Sequence, residues 1–293
     1  MTLTLGLTVP NGAHAMNLVR VETRTDQAVA KYGVTGRGVT VAVLDRGIDW
    51  KQPDFIKPDG NTRIKWLLDM SGQNGCPGSP APVEYSEAQI NAALHGGPGI
   101  NTRDAVGHGT ATAGTAAGNG RAFASAKYRG IAPEVDLIIV KLTSEGAPAH
   151  GTQPAEIGFQ GCTDEALNWL DAKITLLGQP CVAIINSGTQ WGPIDGTSAV
   201  SRKIDSVFGP DRPGRIMVLP AGDEGSLPNH AGTDYDDTTD SVIRLTKINT
   251  QLVYMSMWYT GSHPAQVTIT FDDGTSVGPV GPNSSLDQNG IAV

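Results

Sequence analysis

The sequence predicts a protein of the α/β class: a doubly wound parallel sheet with helices on both faces, followed by part of a β jelly-roll. Short continuous apolar runs recur between Val39 and Leu219, as is typical of strands buried on both faces of a parallel sheet. Stretches with helical spacing of apolar residues separate these runs, and such alternation gives a doubly wound sheet with right-handed crossovers. After about Asn229 the helical spacing stops and strand-like segments follow one another, which predicts the β part.

Strands of the predicted sheet cover residues 39–44 (VTVAVL), 135–142 (VDLIIVKL), 182–185 (VAII) and 215–219 (RIMVL). The first of them runs directly into Asp45. Because ligands of open α/β sheets bind at the carboxyl ends of the strands, Asp45 stands where a functional residue is expected.

Three helices are predicted between these strands. Residues 108–117 are rich in alanine and other small residues, and Gly118 can end that helix. A second helix is predicted to begin at the capping residue Thr163. Its apolar positions keep helical spacing: Ala166, Leu167, Leu170, Ile174 and Leu177. The third helix lies between Val200 and Phe208.

The last part of the chain reads as β-structure. Strands are predicted at residues 241–247, 252–259 and 266–271, with turns at residues 261–262 and 273–274. This predicts a β-sandwich or jelly-roll segment that stops before its sheet is complete. The predicted organisation is therefore an N-terminal extension (1–24), an α/β domain (25–229) and an incomplete β insert (230–293).

Composition excludes several classes of function. The 293 residues carry a formal net charge of −8, so no basic stripe is available for nucleic acid. No segment approaches the roughly 18 apolar residues of a membrane span. Cys76, Cys162 and Cys181 lack metal-ligand spacing, which favours buried free thiols over one incidental disulfide. Residues 1–15 are interpreted as a disordered extension rather than a signal peptide, because a basic n-region is lacking.

Three segments contain the candidate catalytic residues, and they follow one another along the chain. They are residues 41–49 (VAVLDRGID), 104–114 (DAVGHGTATAG) and 219–225 (LPAGDEG). A serine peptidase needs a histidine base whose far nitrogen is held by a carboxylate, so that the correct tautomer faces the nucleophile. Asp45 at a strand end and His108 at the start of a small-residue helix can meet at one edge of the sheet.

These segments resemble the aspartate, histidine and oxyanion boxes of the subtilisin family, in the family's chain order. Residues 62–66 (TRIKW), 84–94 (EYSEAQINAAL) and 192–198 (GPIDGTS) are similar to the clostridial spore-germination (Csp-type) branch. That branch carries a jelly-roll between the oxyanion and serine boxes, which agrees with the change of pattern after Asn229. The resemblance covers the chain from about Thr25 onward and implies a subtilisin-like fold.

The resemblance implies a secreted serine endopeptidase that acts on a peptide or protein substrate. It makes Asp45 and His108 catalytic, and it places Asn186, Ser187 and Gly188 along the bound peptide. Taken singly, Asp45 could be a turn cap and His108 a core histidine; their joint occurrence in family order favours catalysis. The other histidines (His14, His95, His150, His230 and His263) are interpreted as surface or structural.

Asp223 departs from the family, because subtilisins place an asparagine there to donate a hydrogen bond to the developing oxyanion. A carboxylate accepts instead, and its charge repels the oxyanion. Three interpretations stay open. A protonated Asp223 could donate, the backbone could supply the hole alone, or the side chain could cap a turn away from it.

The nucleophilic serine is the second departure. Gly-Thr-Ser occurs at residues 196–198 and 274–276, whereas the family's serine opens a buried helix. Ser198 is expected to begin the helix up to Phe208, and Pro279 excludes a helix after Ser276. The sequence thus predicts that the serine lies beyond Val293, on a C-terminal fragment or a longer chain. The rival interpretation is a catalytically inactive binding or regulatory module, against which the intact Asp45 and His108 argue.

No cofactor is required for triad chemistry, and no metal ligand is assigned. The resemblance makes calcium a candidate, and four aspartates occur together, at positions 234, 236, 237 and 240. Their spacing is not that of an EF-hand, so a solvated acidic loop is the favoured interpretation.

Overall fold

The structure is a computed structural model that describes residues 16–71, 82–143, 159–188 and 192–222, together with shorter segments of the C-terminal part. The shorter segments are residues 230–233, 241–244, 255–259, 264–281, 284–288 and 291–292. Contacts divide the chain into two units. One comprises Met1–Gln190 and Ile194–Gly222, and the other comprises Trp191–Pro193 and Asp223–Val293.

The first unit is built on a six-stranded sheet with the order β3-β2-β4-β1-β5-β6. Its strands are β1 (Thr40–Asp45), β2 (Ile64–Asp69), β3 (Val83–Ser86), β4 (Asp136–Lys141), β5 (Cys181–Ile185) and β6 (Arg215–Val218). Neighbouring strands are parallel except for the antiparallel pair of β2 and the edge strand β3. The predicted α/β fold is confirmed, and the sheet is mixed at one edge rather than wholly parallel.

Helices cover both faces of this sheet, as predicted. The helices are α1 (Met16–Glu22), α2 (Thr25–Tyr32), α3 (Glu87–Leu94), α4 (His108–Ala117), α5 (Phe159–Leu177) and α6 (Ala199–Phe208). Ile90 of α3 and Ala113 of α4 pack in one core cluster with Val43. Leu170 of α5 and Phe208 of α6 pack in the other cluster, on the opposite face. All six residues of β1 are buried, because the strand is covered on both sides.

The predicted start of the helix that became α5 is wrong. The helix begins at Phe159, so Thr163 lies within it rather than at its end. The Thr163 side chain is buried. Thr163 lies on the same face as Ala166, Leu167 and Leu170, all of them buried. Burial of Thr163 on this continuous face outweighs the local preference of threonine for a cap position.

In the second unit, β7 (Val267–Thr270) pairs antiparallel with β8 (Ser276–Val280), and β9 (Asp287–Gln288) pairs with β10 (Ile291–Ala292). The predicted strand at residues 266–271 is confirmed. The predicted strands at 241–247 and 252–259 are wrong where the structure describes them, since residues 241–244 and 255–259 form no strand. Met255, Met257 and Trp258 are all exposed, so the alternation has no buried face to sustain it. The jelly-roll stays a prediction.

The N-terminal helix α1 is attached to the first unit by one buried arginine. The Arg20 guanidinium donates to the Asp26 carboxylate and to the carbonyl oxygens of Gly130 and Ile131. Residues 1–15, predicted to be a disordered extension, lie outside the described residues. Among the helices of the described residues, none is long and apolar enough to cross a membrane.

A second buried arginine, Arg63, joins the segments that position α4. Its guanidinium donates to the carbonyl oxygens of Val135, Ala117 and Asp54, at distances of 2.6–3.1 Å. Burial lowers the pKa of Arg63 to about 10, so the side chain remains charged at neutral pH. Arg63 therefore ties the carboxyl end of α4 to the segments that lead into β2 and β4.

Replacing Arg63 by methionine is expected to lower the free energy of unfolding by about 2–5 kcal/mol, because buried carbonyl oxygens lose their donor. Chemical denaturation measures the change. Arg37→Met is the matched control, since the Arg37 side chain is exposed, and it is expected to change stability by less than about 1 kcal/mol. Equal effects of the two substitutions would contradict the structural role of Arg63.

Candidate active site

Asp45 and His108 are in direct contact at the carboxyl edge of the sheet. The Nδ1 of His108, the first residue of α4, lies 2.6 Å from Oδ1 of Asp45, the last residue of β1. The Asp45 side chain is 1% exposed and that of His108 is 28% exposed. A buried carboxylate accepts, so Nδ1 donates and Nε2 is the unprotonated nitrogen of the neutral ring. No described residue forms a hydrogen bond with Nε2, which leaves it available to a hydroxyl group.

Two glycines allow α4 and the segment that precedes it to lie close to the end of β1. Gly47 has a φ of +109°, and a Cβ there would lie 2.8 Å from the carbonyl oxygen of Arg103. A Cβ on Gly109 would overlap the carbonyl oxygen of Gly47 and lie 3.1 Å from Cβ of Asp45. The glycines that follow Asp45 and His108 in the sequence are therefore steric requirements of the contact between those residues.

Asp104 organises the turn that leads into His108. Its Oδ1 accepts from the backbone N–H groups of Val106 and Gly107, and its Oδ2 accepts from the N–H and hydroxyl of Thr110. The Thr110 hydroxyl in turn accepts from the N–H of Asp49. Asp104 lies within the histidine motif of the sequence, but the motif alone did not indicate its role. An aspartate four residues before the helix start, able to bond the backbone ahead of it, was the available signal.

The predicted substrate-binding residues lie at the same edge of the sheet. β5 runs parallel to β1 with Ile185 opposite Leu44, so Asn186, Ser187 and Gly188 follow the strand next to Asp45. The Asn186 amide donates to the hydroxyl of Thr112 over 3.2 Å. Thr112 lies one helical turn after His108, on the same side of α4. Asn186 and Gly188 are exposed.

Several other candidates lie outside the described residues. They are Asp223 and the aspartates at 234, 236, 237 and 240. Within the described segments, no group of three or more His, Cys, Asp or Glu side chains could hold a metal ion. Cys181 is a buried free thiol, and burial raises its pKa to about 12, so it is not a reactive thiolate.

The serines of the two Gly-Thr-Ser strings have structural contacts. Ser198 caps α6: its hydroxyl accepts from the N–H of Ser201, as the sequence predicted. Ser276 begins β8, and its hydroxyl lies 3.0 Å from that of Thr270. Ser198 thus lies at the start of a helix, and Ser276 lies in a strand.

Serine hydrolases activate a hydroxyl with a histidine that is hydrogen-bonded to a buried carboxylate. Here that pair lies at the carboxyl edge of a doubly wound sheet. Comparison with known sequences identifies the class more narrowly. The sequence profile of the subtilase family, peptidase S8, matches residues 36–285. The chain belongs to the subtilase family of serine peptidases.

Individual relatives support this membership. The serine protease AprX of Bacillus subtilis is 34% identical in an alignment of 131 residues that covers 43% of this chain and 22% of AprX. Subtilisin Savinase of Lederbergia lenta is 27% identical over 199 residues, 66% of this chain and 59% of Savinase. The solved Clostridium perfringens CspB protease is similar with a TM-score of 0.56 and 28% identity, covering 69% of this chain and 41% of CspB.

The predicted resemblance to the Csp-type branch is thereby confirmed. The chain spans less than two thirds of the length of each of these relatives.

Proposed function

We propose that this chain supplies the aspartate and histidine of a subtilisin-type serine endopeptidase. The observation that carries the proposal is the 2.6 Å contact between His108 Nδ1 and the buried Asp45 carboxylate. In the proposed reaction, His108 Nε2 takes the proton of a serine hydroxyl as the serine oxygen attacks the scissile carbonyl carbon. The imidazolium then gives that proton to the leaving amine. Asp45 stabilises the imidazolium without becoming protonated. Water releases the acyl group by the same route, and the proposed chemistry requires no cofactor.

The serine is proposed to lie outside residues 1–293, on a C-terminal fragment or a longer chain. Two observations support this proposal. Ser276 lies in a strand, and Ser198 precedes residues 219–225, whereas the family's serine follows the oxyanion box. The side chains of Ile216, Val218 and Leu219, on and after the edge strand β6, are at least half exposed. Apolar side chains on an edge strand favour a surface that another segment covers, and a segment that carries the serine suits this place.

The substrate is proposed to be an extended peptide or protein segment that pairs with the backbone of Asn186, Ser187 and Gly188. Main-chain hydrogen bonds to an exposed extended segment give affinity without requiring particular side chains. The position of Asn186 against Thr112 supports the proposal, because it places this segment beside the helix face that carries His108. Secretion is proposed from the family alone.

The test is hydrolysis of a fluorogenic peptide library by the protein in its longest natural form, with and without a fluorophosphonate inhibitor. Hydrolysis that the inhibitor abolishes is expected. If the intact protein cleaves no peptide and no denatured protein substrate, the proposal fails and the chain is a subtilisin-fold binding or regulatory module.

Asp223 is proposed to lie in the oxyanion region and to limit activity at neutral pH. Asp223→Asn is expected to raise kcat at neutral pH by roughly 10-fold to 10²-fold, because an amide donates to the oxyanion where a carboxylate repels it. The pH–rate profiles of both proteins measure the effect, with Asp195→Asn as a control at an exposed turn. An unchanged neutral-pH rate would mean that the backbone supplies the oxyanion hole.

A further inference from the structure

Lys141 is a buried lysine beside the catalytic pair, and the mechanism proposed above does not use it. We propose that Lys141 is a positioning residue that holds the segment before His108 against the sheet. This inference rests on the proposed function only in naming His108 as the base. The contact between His108 and Asp45 can be observed without any turnover.

The sheet places Lys141 between two carboxylates. Lys141 ends β4 and lies in register with Asp45 of β1 on one side and Asp69 of β2 on the other. Register partners in a parallel sheet point to the same face, so the three side chains form a row at its carboxyl edge. The Lys141 side chain is 1% exposed, and a lysine is so deeply buried almost only when it is paired.

The ammonium group of Lys141 reaches the backbone of the segment that precedes α4. Its Nζ donates to the carbonyl oxygen of Arg103 over 2.7 Å and lies 3.9 Å from Oδ2 of Asp69. On its way the side chain passes over Gly47, where a Cβ would lie 3.1 Å from Cδ of Lys141. A side chain at Gly47 would therefore block the path of the lysine as well as the approach of Arg103.

Asp104 connects the anchored Arg103 with the turn that holds His108. Asp104 follows directly, and its carboxylate holds the N–H groups of Val106, Gly107 and Thr110 around the turn. His108 lies inside this turn and bonds Asp45. The segment before His108 is thus anchored to β4 at Arg103 and tied to α4 at Asp104, which sets the ring at hydrogen-bonding distance from the carboxylate.

A charged donor suits this position better than an apolar side chain. Hydrogen bonds from an ammonium group are shorter and stronger than those between neutral groups, and burial strengthens them further. A methionine has nearly the same length and fills the space, but it gives Arg103 no donor. Lys141→Met therefore removes the anchor while largely preserving the packing.

The experiment measures the Nδ1 proton of His108 by NMR in protein carrying ¹⁵N-labelled histidine. In the unaltered chain the hydrogen bond to Asp45 is expected to give a deshielded, slowly exchanging proton. Lys141→Met is expected to broaden or abolish that resonance. In an active preparation it is expected to lower kcat about 10²-fold with KM within about twofold, as displacement of a catalytic group does.

Lys173→Met is the matched control, because Lys173 is also a paired, mostly buried lysine but lies on α5 beside Glu84 and Trp66. It is expected to leave the His108 resonance unchanged. A folded Lys141→Met protein with an unaltered resonance would overturn the proposal.

Asp104→Asn tests the same connection from Lys141 through Asp104 to His108, at a residue that is less buried. It decides between the outcomes if the Lys141→Met protein does not fold. Weaker acceptance by the amide is expected to broaden the same resonance, and an unchanged resonance in a folded variant would refute the connection. A resonance that responds as expected, in a protein that never hydrolyses peptides, would keep the positioning role and refute the proposed function instead.

Discussion

Asp45→Asn is expected to lower kcat about 10⁴-fold in the preparation that contains the reactive serine, with little change in KM. The Asn amide can donate to Nδ1 of His108 and so stabilise the tautomer whose Nε2 carries the proton, which cannot accept a proton from serine. His108→Ala removes the base and is expected to cost at least as much. Steady-state kinetics on a fluorogenic peptide measures both effects.

His95→Ala is the matched control for His108. His95 follows α3, and its Nε2 contacts the side chain of Asn61 at 3.3 Å. Its loss is expected to leave kcat within about twofold, because the ring takes no part in the proposed proton transfers. A His108→Ala protein with more than a tenth of the original kcat would contradict the assignment of His108 as the base.

Gly109→Ala is expected to have the second largest effect, although alanine favours helices over glycine by about 1 kcal/mol. The new methyl group would overlap the carbonyl oxygen of Gly47 and crowd the Cβ of Asp45. α4 must then move away from the end of β1, which lengthens the 2.6 Å contact of His108 with Asp45. A loss in kcat of about 10²-fold or more is expected from such a displacement.

Gly114→Ala separates this steric effect from the change in helix propensity. Gly114 lies in the same helix, and a Cβ there would meet nothing within 4 Å. Gly114→Ala is expected to preserve kcat and to raise the thermal unfolding midpoint slightly. If both alanine variants kept full activity, the close packing of α4 against Gly47 would not be needed for catalysis.

The sequence predicted the centre of the fold better than its margins. The runs that became β1, β4, β5 and β6 are continuous and apolar, so burial on both faces identified them within about a residue at each end. β2 and β3 were missed, because Lys65 and Glu84 interrupt the apolar pattern of strands near one edge. α3 was also missed, although the Ser-x-x-Gln spacing of Ser86 and Gln89, which form its capping box, was an available signal.

In the site, the paired motifs predicted the meeting of Asp45 and His108, and the structure brings the two residues together. The anchoring contact of Lys141 with Arg103 was not readable, because Lys141 continues an apolar run and its partner is a backbone carbonyl far along the chain. Asp223 lies outside the described residues, so its role stays a prediction.

Labelling with a fluorophosphonate probe, followed by peptide mapping, shows directly which serine Asp45 and His108 activate. The probe is expected to label a serine outside residues 1–293, and Asp45→Asn and His108→Ala are each expected to suppress the labelling. Label on Ser198 or Ser276 would contradict the proposed place of the nucleophile. Full labelling in the absence of His108 would contradict the proposal that Asp45 and His108 activate the serine.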